Sequence, residues 1–355
     1  MPLDHFRSLG RTGLRISPLG LGAMLFDDPS WGADRETSFR MLDHYRDRGG
    51  NFVDTSNGYA RGRSEDTIGE YLRRHPGLRD RMVIATKFAS NLHPGDPNSG
   101  GGGRKAIYSQ LDGSLERLGT DYVDLYWFHH FDPHTPISET VAAVHDLVAA
   151  GKVRYFGISD SPAWAVARAG TIAEFRGWAP VSAIQIEYSL LERTPEGELF
   201  GAARELGAGG VSYSPLAGGV LSGKYTRENL RPAGSGRAAW PMSQAKLTES
   251  TFALLDRLRE IADGHATTVS AVAIAWQIRR PAITSALVGA RTVEQLEANL
   301  AAADLTLSAE ECTSLDELTE PTLQFPYAFL RDIAVHVQQG GATINGVTSR
   351  RWSVD

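Results

Sequence analysis

The chain has 355 residues, 42% apolar and 22% charged, a balance that supports a deep core and excludes a disordered or fibrous protein. A net charge of −6 favours neither nucleic acid nor an anionic membrane as partner. The single Cys312 excludes a disulfide framework within one chain and suits a reducing, cytoplasmic compartment. Residues 1–10 lack the apolar stretch of a signal peptide, and no apolar run has the length of a membrane span.

Taken in chain order, short β-rich runs alternate with helical stretches. Strands are expected at residues 19–25, 51–56, 82–88, 122–129, 153–160, 182–189, 210–216 and 283–290. Runs such as MVIATKF and ITSALVG lack polar alternation, the pattern of strands buried on both faces of a parallel sheet. Between the first two, DRETSFRMLDHYRDRGG reads as a helix capped by Asp34, with Phe39, Leu42 and Tyr45 on one side and a stop at Gly49 and Gly50. SETVAAVHDLVAAGK also ends at a glycine.

Eight strands with helical crossovers predict one α/β domain over residues 1–355, a (β/α)₈ barrel with residues 320–355 as a tail. A doubly wound open sheet is the alternative. Two long loops break the rhythm, residues 90–103 after the third strand and 217–246 after the seventh; in a barrel both lie on the face where active sites are built. The glycines and prolines of 90–103 suggest few packing anchors and a loop that moves over substrate.

Polar groups gather at the ends of the early strands. Asp54 ends the second, Tyr59 follows it, Lys87 closes the third, and His129 and His130 end the fourth. In a barrel an acid, a phenol, an amine and an imidazole then converge. Carbonyl reduction needs such a set: a hydride reaching the carbonyl carbon leaves an alkoxide that must take a proton. A nearby ammonium lowers the pKa of a tyrosine donor, an aspartate offsets the buried lysine, and a histidine fixes the carbonyl oxygen. Singly, each residue reads more readily as part of a rim ion pair, a turn tyrosine or an interior histidine.

Other motifs carry less. HHFDPH invites a metal, but neighbours on a strand point to opposite faces, so His129 and His130 do not share an ion, and no metal is expected. The glycines 100–103 do not form a P-loop, and GLGAML lacks the third glycine of a dinucleotide fingerprint. VGARTVEQLEANL is a better phosphate site, with Thr292 as helix cap, Gln295 three residues on, and Arg291 beside the helix N-terminus.

Over most of its length the chain resembles the aldo-keto reductase superfamily. FRSLGRTGLRISPLGLGAM resembles that family's opening hairpin and first strand. FVDTSNGYARGRSE, ATKF, DLYWFHHFDPHTP, GKVRYFGISD, QIEYSLLER, YSPLAGGVLSGKY and GARTVEQLEANL follow in the family's order. The resemblance implies a catalytic tetrad of Asp54, Tyr59, Lys87 and His129, with Tyr59 as proton donor, and NADP(H) as cofactor for a small carbonyl substrate. It places Gly22, Ala23 and Met24 at the cofactor, and Ser159, Asp160 and Gln185 at the nicotinamide carboxamide, with Tyr213 stacked on the ring. It assigns Ser214, Pro215, Leu216, Gly218, Leu221, Gly223 and Lys224 to the pyrophosphate, and Gly289, Arg291, Gln295 and Asn299 to the adenosine end with its 2′-phosphate.

Two departures stand out. The family usually has Asn at Asp160, and an ionised carboxylate accepts from the carboxamide amine but cannot donate to its carbonyl. Ala298 replaces the usual Glu before the final Asn. A second reading of the same fold is a cofactor-sensing regulatory subunit, like the potassium-channel β subunits. A metal-dependent isomerase or aldolase barrel would need further ligands at strand ends. Met24, Phe26, Trp31, Trp127, Trp240, Phe325, Tyr327 and Phe329 are candidates to line a pocket for a bulky or ring-shaped carbonyl compound, or to be core.

Overall fold

The computed structural model describes residues 2–232 and 241–351. Eight strands form a closed barrel: β1 Leu19–Gly22, β2 Phe52–Asp54, β3 Val83–Phe88, β4 Val123–Phe128, β5 Val153–Ser159, β6 Val181–Glu187, β7 Gly209–Tyr213 and β8 Ile283–Val288. Every neighbouring pair is parallel, and β8 closes onto β1 through Ala286 opposite Leu19. The open-sheet alternative is thereby excluded. Each expected strand is present and stops short of its expected C-terminal end, or at it for Phe88. The first stops at Gly22, because Ala23–Leu25 curls into a tight helical turn.

Helices cross outside the barrel: α1 Arg35–Asp47, α2 Arg63–Arg74, α3 Arg104–Leu118, α4 Ile137–Ala149, α5 Ala163–Arg176 and α6 Leu199–Leu206. Then come α7 Glu249–Gly264 and α8 Val269–Ile278 before β8, and α9 Val293–Leu300 and α10 Ala309–Leu318 after it. Helix α1 forms as its sequence predicts. Asp34 accepts the Thr37 amide at 2.7 Å, Phe39, Leu42 and Tyr45 are buried, and left-handed Gly49 (φ 87°) follows its end. None of the helices among the described residues is long and apolar enough to cross a membrane.

The N-terminal hairpin, Arg7–Ser8 paired with Arg15–Ile16, plugs the barrel floor. Its Leu9 and Ile16 pack into the lumen with Phe52, Val83, Ala85, Leu125, Ala183 and Val211. Above this layer the Trp127 indole fills the space opposite Gly157, its register partner on β5. A Cβ on Gly157 would lie 2.2 Å from the indole ring, so a side chain there displaces the tryptophan beneath the site. Gly157→Ala is therefore expected to lower unfolding stability by about 1–3 kcal/mol, as overpacked cores do, measured by denaturant titration.

Loop 89–103 lies on the C-terminal face but is better anchored than its composition suggests. The Gly101 amide bonds Ala89 O at 2.9 Å, the Gly102 amide bonds Asp132 at 2.9 Å, and Thr140 donates to Gly102 O at 2.8 Å. Its glycines serve close contacts there: a Cβ on Gly101 would meet the Asp132 carboxylate at 2.6 Å. The tail continues as a helical segment, residues 327–339, and a small hairpin of Thr343–Ile344 with Val347–Thr348. It rests on the loop before α6, where Gly197 faces Leu323 and Tyr327.

Candidate active site

The strand ends converge as expected. Lys87 is fully buried in the barrel mouth, and its three ammonium hydrogens have three acceptors: Asp54 Oδ1, Thr55 O at 2.9 Å and Tyr59 Oη at 3.0 Å. The other Asp54 oxygen accepts from Gln185 Nε2 at 3.0 Å, so the carboxylate is held on both sides. Because Lys87 donates to the phenol oxygen, the Tyr59 proton is left to point elsewhere, toward the cavity that Tyr59 lines.

Tyr59 is presented by a strained turn. Ala60 and Arg61 have φ values of 46° and 57°, and left-handed Gly62 (φ 93°) leads into α2. Two consecutive non-glycine residues in this region cost roughly 1–3 kcal/mol each and need support from outside the turn. That support comes just downstream. Ser64 donates to Ala23 O at 2.7 Å and meets the Thr55 hydroxyl at 2.8 Å, while Arg63 pairs with buried Asp27 at 2.7 Å. Asp27 is also paired with Arg35 at 2.7 Å, so it ties the loop after β1 to the starts of both α1 and α2.

His129 lies with its ring 5.8 Å from that of Tyr59, edge to face. Burial, reinforced by the Lys87 charge, pushes its pKa down to about 2, so it is neutral at physiological pH. Its Nδ1 faces the hydroxyls of Ser56 at 3.3 Å and Ser90 at 3.5 Å. The Ser56 oxygen accepts the Gly58 amide at 3.2 Å, and its proton is shared between the Asn57 side-chain oxygen at 3.3 Å and the imidazole. A serine donating to Nδ1 places the ring proton on Nε2. Ser56 and Ser90 were not singled out in the sequence; with no periodic signal in a loop, only their three-dimensional contact with His129 reveals them.

From the sequence, the ammonium beside Tyr59 is expected to lower its pKa. The net direction is upward, because burial outweighs the opposing attraction of Lys87. Lys87 itself is raised: Asp54 and Tyr59 overcome its burial, and it stays an ammonium.

From Tyr59 and His129 a cavity of about 650 Å³ runs along the barrel rim to the start of α9. Its walls include most of the residues the resemblance pointed to: Gly22, Met24, Asp54, Ser159, Asp160, Gln185, Tyr213, Ser214, Pro215, Leu216, Gly218, Lys224, Gly289, Arg291, Gln295 and Asn299. Ala23 and Leu221 are instead buried in the core, and Gly223 sits under Val269, where a Cβ would lie 2.9 Å from its side chain. These three support the wall rather than form it. Thr268 and Ser270, at the N-terminus of α8, add hydroxyls beside Ala298. Thr268 caps α8 through the Ala271 amide at 3.1 Å, a signal legible as a threonine ahead of an apolar run.

Of the candidate pocket aromatics, Trp31 lines the cavity together with Met24. Phe26 and Trp127 are fully buried in the packed core instead. Phe325, Tyr327 and Phe329 belong to the tail away from the cavity, held there by its contacts with the loop before α6. Trp240 lies outside the described residues.

The cavity wall fits a dinucleotide. The Ser159 hydroxyl is buried without a hydrogen-bond partner among the described residues, beside Asp160 and Gln185. After β7, Ser214, Ala217, Gly218 and Gly219 all have positive φ, in a tight turn closed by the Ala217 amide on Ser214 O and the Gly219 amide on Leu216 O, each at 2.8 Å. At the far end Thr292 caps α9 through the Gln295 amide at 3.3 Å, and Gln295 accepts the Arg291 amide at 3.0 Å, so the expected cap is present. Lys224 and Arg291 lie near enough for the arginine's charge to help lower the lysine pKa, after burial.

Known proteins share this pattern. The Aldo/keto reductase family profile matches residues 18–320. An uncharacterized oxidoreductase, YrpG, of Bacillus subtilis is 37% identical over 88% of this chain and 95% of its own. An aryl-alcohol dehydrogenase of Pestalotiopsis microspora is 35% identical over 89% and 82%, and norsolorinic acid reductase B of Dothistroma septosporum 31% over 92% and 84%. With a closed parallel barrel, four polar residues from three strand ends around one mouth and relatives aligned over most of their length, the chain belongs to the aldo/keto reductase family of oxidoreductases.

Proposed function

We propose that the chain reduces an aldehyde or ketone to an alcohol with NADPH, Tyr59 donating the proton and His129 orienting the carbonyl. The carrying observation is the placement of the three Lys87 donors, one of them on Tyr59 Oη. The bound nicotinamide supplies the hydride. The protein does the rest: neutral His129 offers Nε2–H to the carbonyl oxygen, and Tyr59 passes its proton to that oxygen as charge develops there. The ammonium then stabilises the phenolate left behind, so Lys87 matters most after the proton has moved.

The cofactor half of the cavity supports NADPH. Arg291 and the capped N-terminus of α9 suit a 2′-phosphate better than a ribose hydroxyl. Arg291→Ala is expected to weaken NADPH binding by about 2 kcal/mol, the scale of a charged hydrogen bond, and to leave NADH nearly unchanged. Dissociation constants for both cofactors on both proteins check this; equal losses would mean that Arg291 does not read the phosphate.

Met24, Leu25 and Trp31 give the cavity an apolar lining, which suits a ring-bearing carbonyl compound, the class that the names of the aryl-alcohol dehydrogenase and the norsolorinic acid reductase suggest. The single Cys312 accords with a reducing, cytoplasmic setting. The test is NADPH oxidation measured over aromatic and aliphatic aldehydes, ketones, quinones and keto-sugars. Turnover strongest on aromatic carbonyls is expected. Bound NADPH without turnover on any of them overturns the reading.

A further inference from the structure

The cavity imposes an order on a dinucleotide that fills it. Its cations, Lys224 and Arg291, lie toward the capped helix at one end, and Tyr59 and His129 lie at the other. A hydride donor has to sit beside the proton donor, so the redox ring occupies the stretch between, walled by Ser159, Asp160, Gln185 and Tyr213.

Two carboxylates line that wall, and their surroundings differ. Asp54 is matched by the Lys87 ammonium in direct contact. Asp160 is not matched. Its carboxylate accepts the Tyr213 hydroxyl on both oxygens, at 3.0 and 3.1 Å, and has no cation within ion-pair distance among the described residues. Its backbone is pinned as well: the Asp160 amide bonds Gln185 O at 3.2 Å, and its carbonyl accepts the Phe131 amide at 3.3 Å. Asp160 holds a positive φ of 37°, a conformation that aspartate tolerates better than most residues. A neutral hydroxyl therefore fixes a carboxylate, uncompensated by direct contact, against the place the ring must occupy.

We infer that Asp160 tilts the site toward the oxidised cofactor, holding NADP⁺ more tightly relative to NADPH than a neutral side chain there would. This rests on the cofactor reading above. The two forms differ in the ring, which carries a positive charge when oxidised and none when reduced. Contacts to phosphates, riboses and adenine are common to both and cancel in the ratio of their dissociation constants. A unit charge several ångströms from a carboxylate in a partly buried site shifts such a ratio by roughly 10-fold to 100-fold. The oxidised cofactor then leaves more slowly after carbonyl reduction than it would from a site with a neutral residue.

The charges that face Asp160 are few. Lys87 on β3 acts at longer range and favours the ionised form; Glu187 at the end of β6, itself paired with Lys246 at 2.8 Å, opposes it, and Tyr213 on β7 donates its hydroxyl. Burial dominates and raises the Asp160 carboxyl to about 6. The preference for NADP⁺ is thus present above that pH and fades as acid protonates Asp160. The 2′-phosphate also titrates near there, but equally in both cofactors.

The experiment is binding of NADP⁺ and of NADPH, each titrated by quenching of tryptophan fluorescence, on the full chain and on Asp160→Asn at pH 8. The ratio Kd(NADP⁺)/Kd(NADPH) is expected to rise about 10-fold in the variant. On the unmodified chain, which removes any question of misfolding, lowering the pH to 5 should raise the ratio toward that of the variant. A ratio unmoved by the substitution, or unmoved by acid, overturns the inference while leaving the cofactor reading in place. Failure of the unmodified chain to bind either form overturns both.

Discussion

Tyr59→Phe is expected to lower carbonyl turnover by roughly 10²-fold or more while NADPH still binds, the scale of general acid catalysis. Phenylalanine keeps the ring packed against His129 and deletes the hydroxyl that Lys87 donates to. The change touches the acid and little else. Because burial holds the phenol above its ordinary value near 10, Tyr59 stays protonated through neutral pH. Reduction by the unmodified enzyme should therefore be flat across neutral pH and fall in alkali, where the donor is lost. Single-turnover rates with an active carbonyl substrate, alongside NADPH titration, check both parts. Near-normal turnover in Tyr59→Phe would remove Tyr59 from the proposed role.

Lys87→Met carries the larger stability cost. Lys87 and Asp54 are each 1% exposed and in direct contact, so removing the ammonium leaves a buried carboxylate with Gln185 as its remaining side-chain donor among the bonded partners described above. Breaking a buried pair from one side costs about 3–5 kcal/mol, most of it the penalty of the charge left behind. Asp54→Asn in the same chain should recover much of that loss, because an amide can still accept from Gln185 and carries no charge. Turnover should remain low in both variants, since neither places a cation at Tyr59. Urea unfolding of the single and double variants makes the comparison. A double variant as unstable as Lys87→Met would mean that the lysine stabilises by packing rather than by pairing.

The barrel was legible because its strands are buried on both faces. MVIATKF and ITSALVG read as continuous apolar runs, and β3 and β8 lie there. The helix caps Asp34 and Thr292 were legible too, since capping is a contact between residues three apart. Strand ends were less so: Ala23–Leu25 is as apolar as the strand before it, yet turns away once β1 has met β2 and β8.

The tetrad lies between these cases. Its members are polar residues at the ends of apolar runs, and a barrel brings such ends together, so fold and position sufficed to group Asp54, Lys87 and His129 and to add Tyr59. Their energetics did not follow. Lys87 does favour the Tyr59 phenolate, but the net shift is upward because full burial is the larger effect, and burial depends on the whole mouth closing around the phenol. Sequence by itself determined the residue types, the strand and cap signals, and hence which chemistry was available. Tertiary structure alone decided that Trp127 packs against Gly157 beneath the site, that Ser56 and Ser90 face His129, and that Asp160 meets Tyr213. These pairs stand on separate strands and loops, 30 to 73 positions apart. No local periodicity links them; the closure of the barrel does.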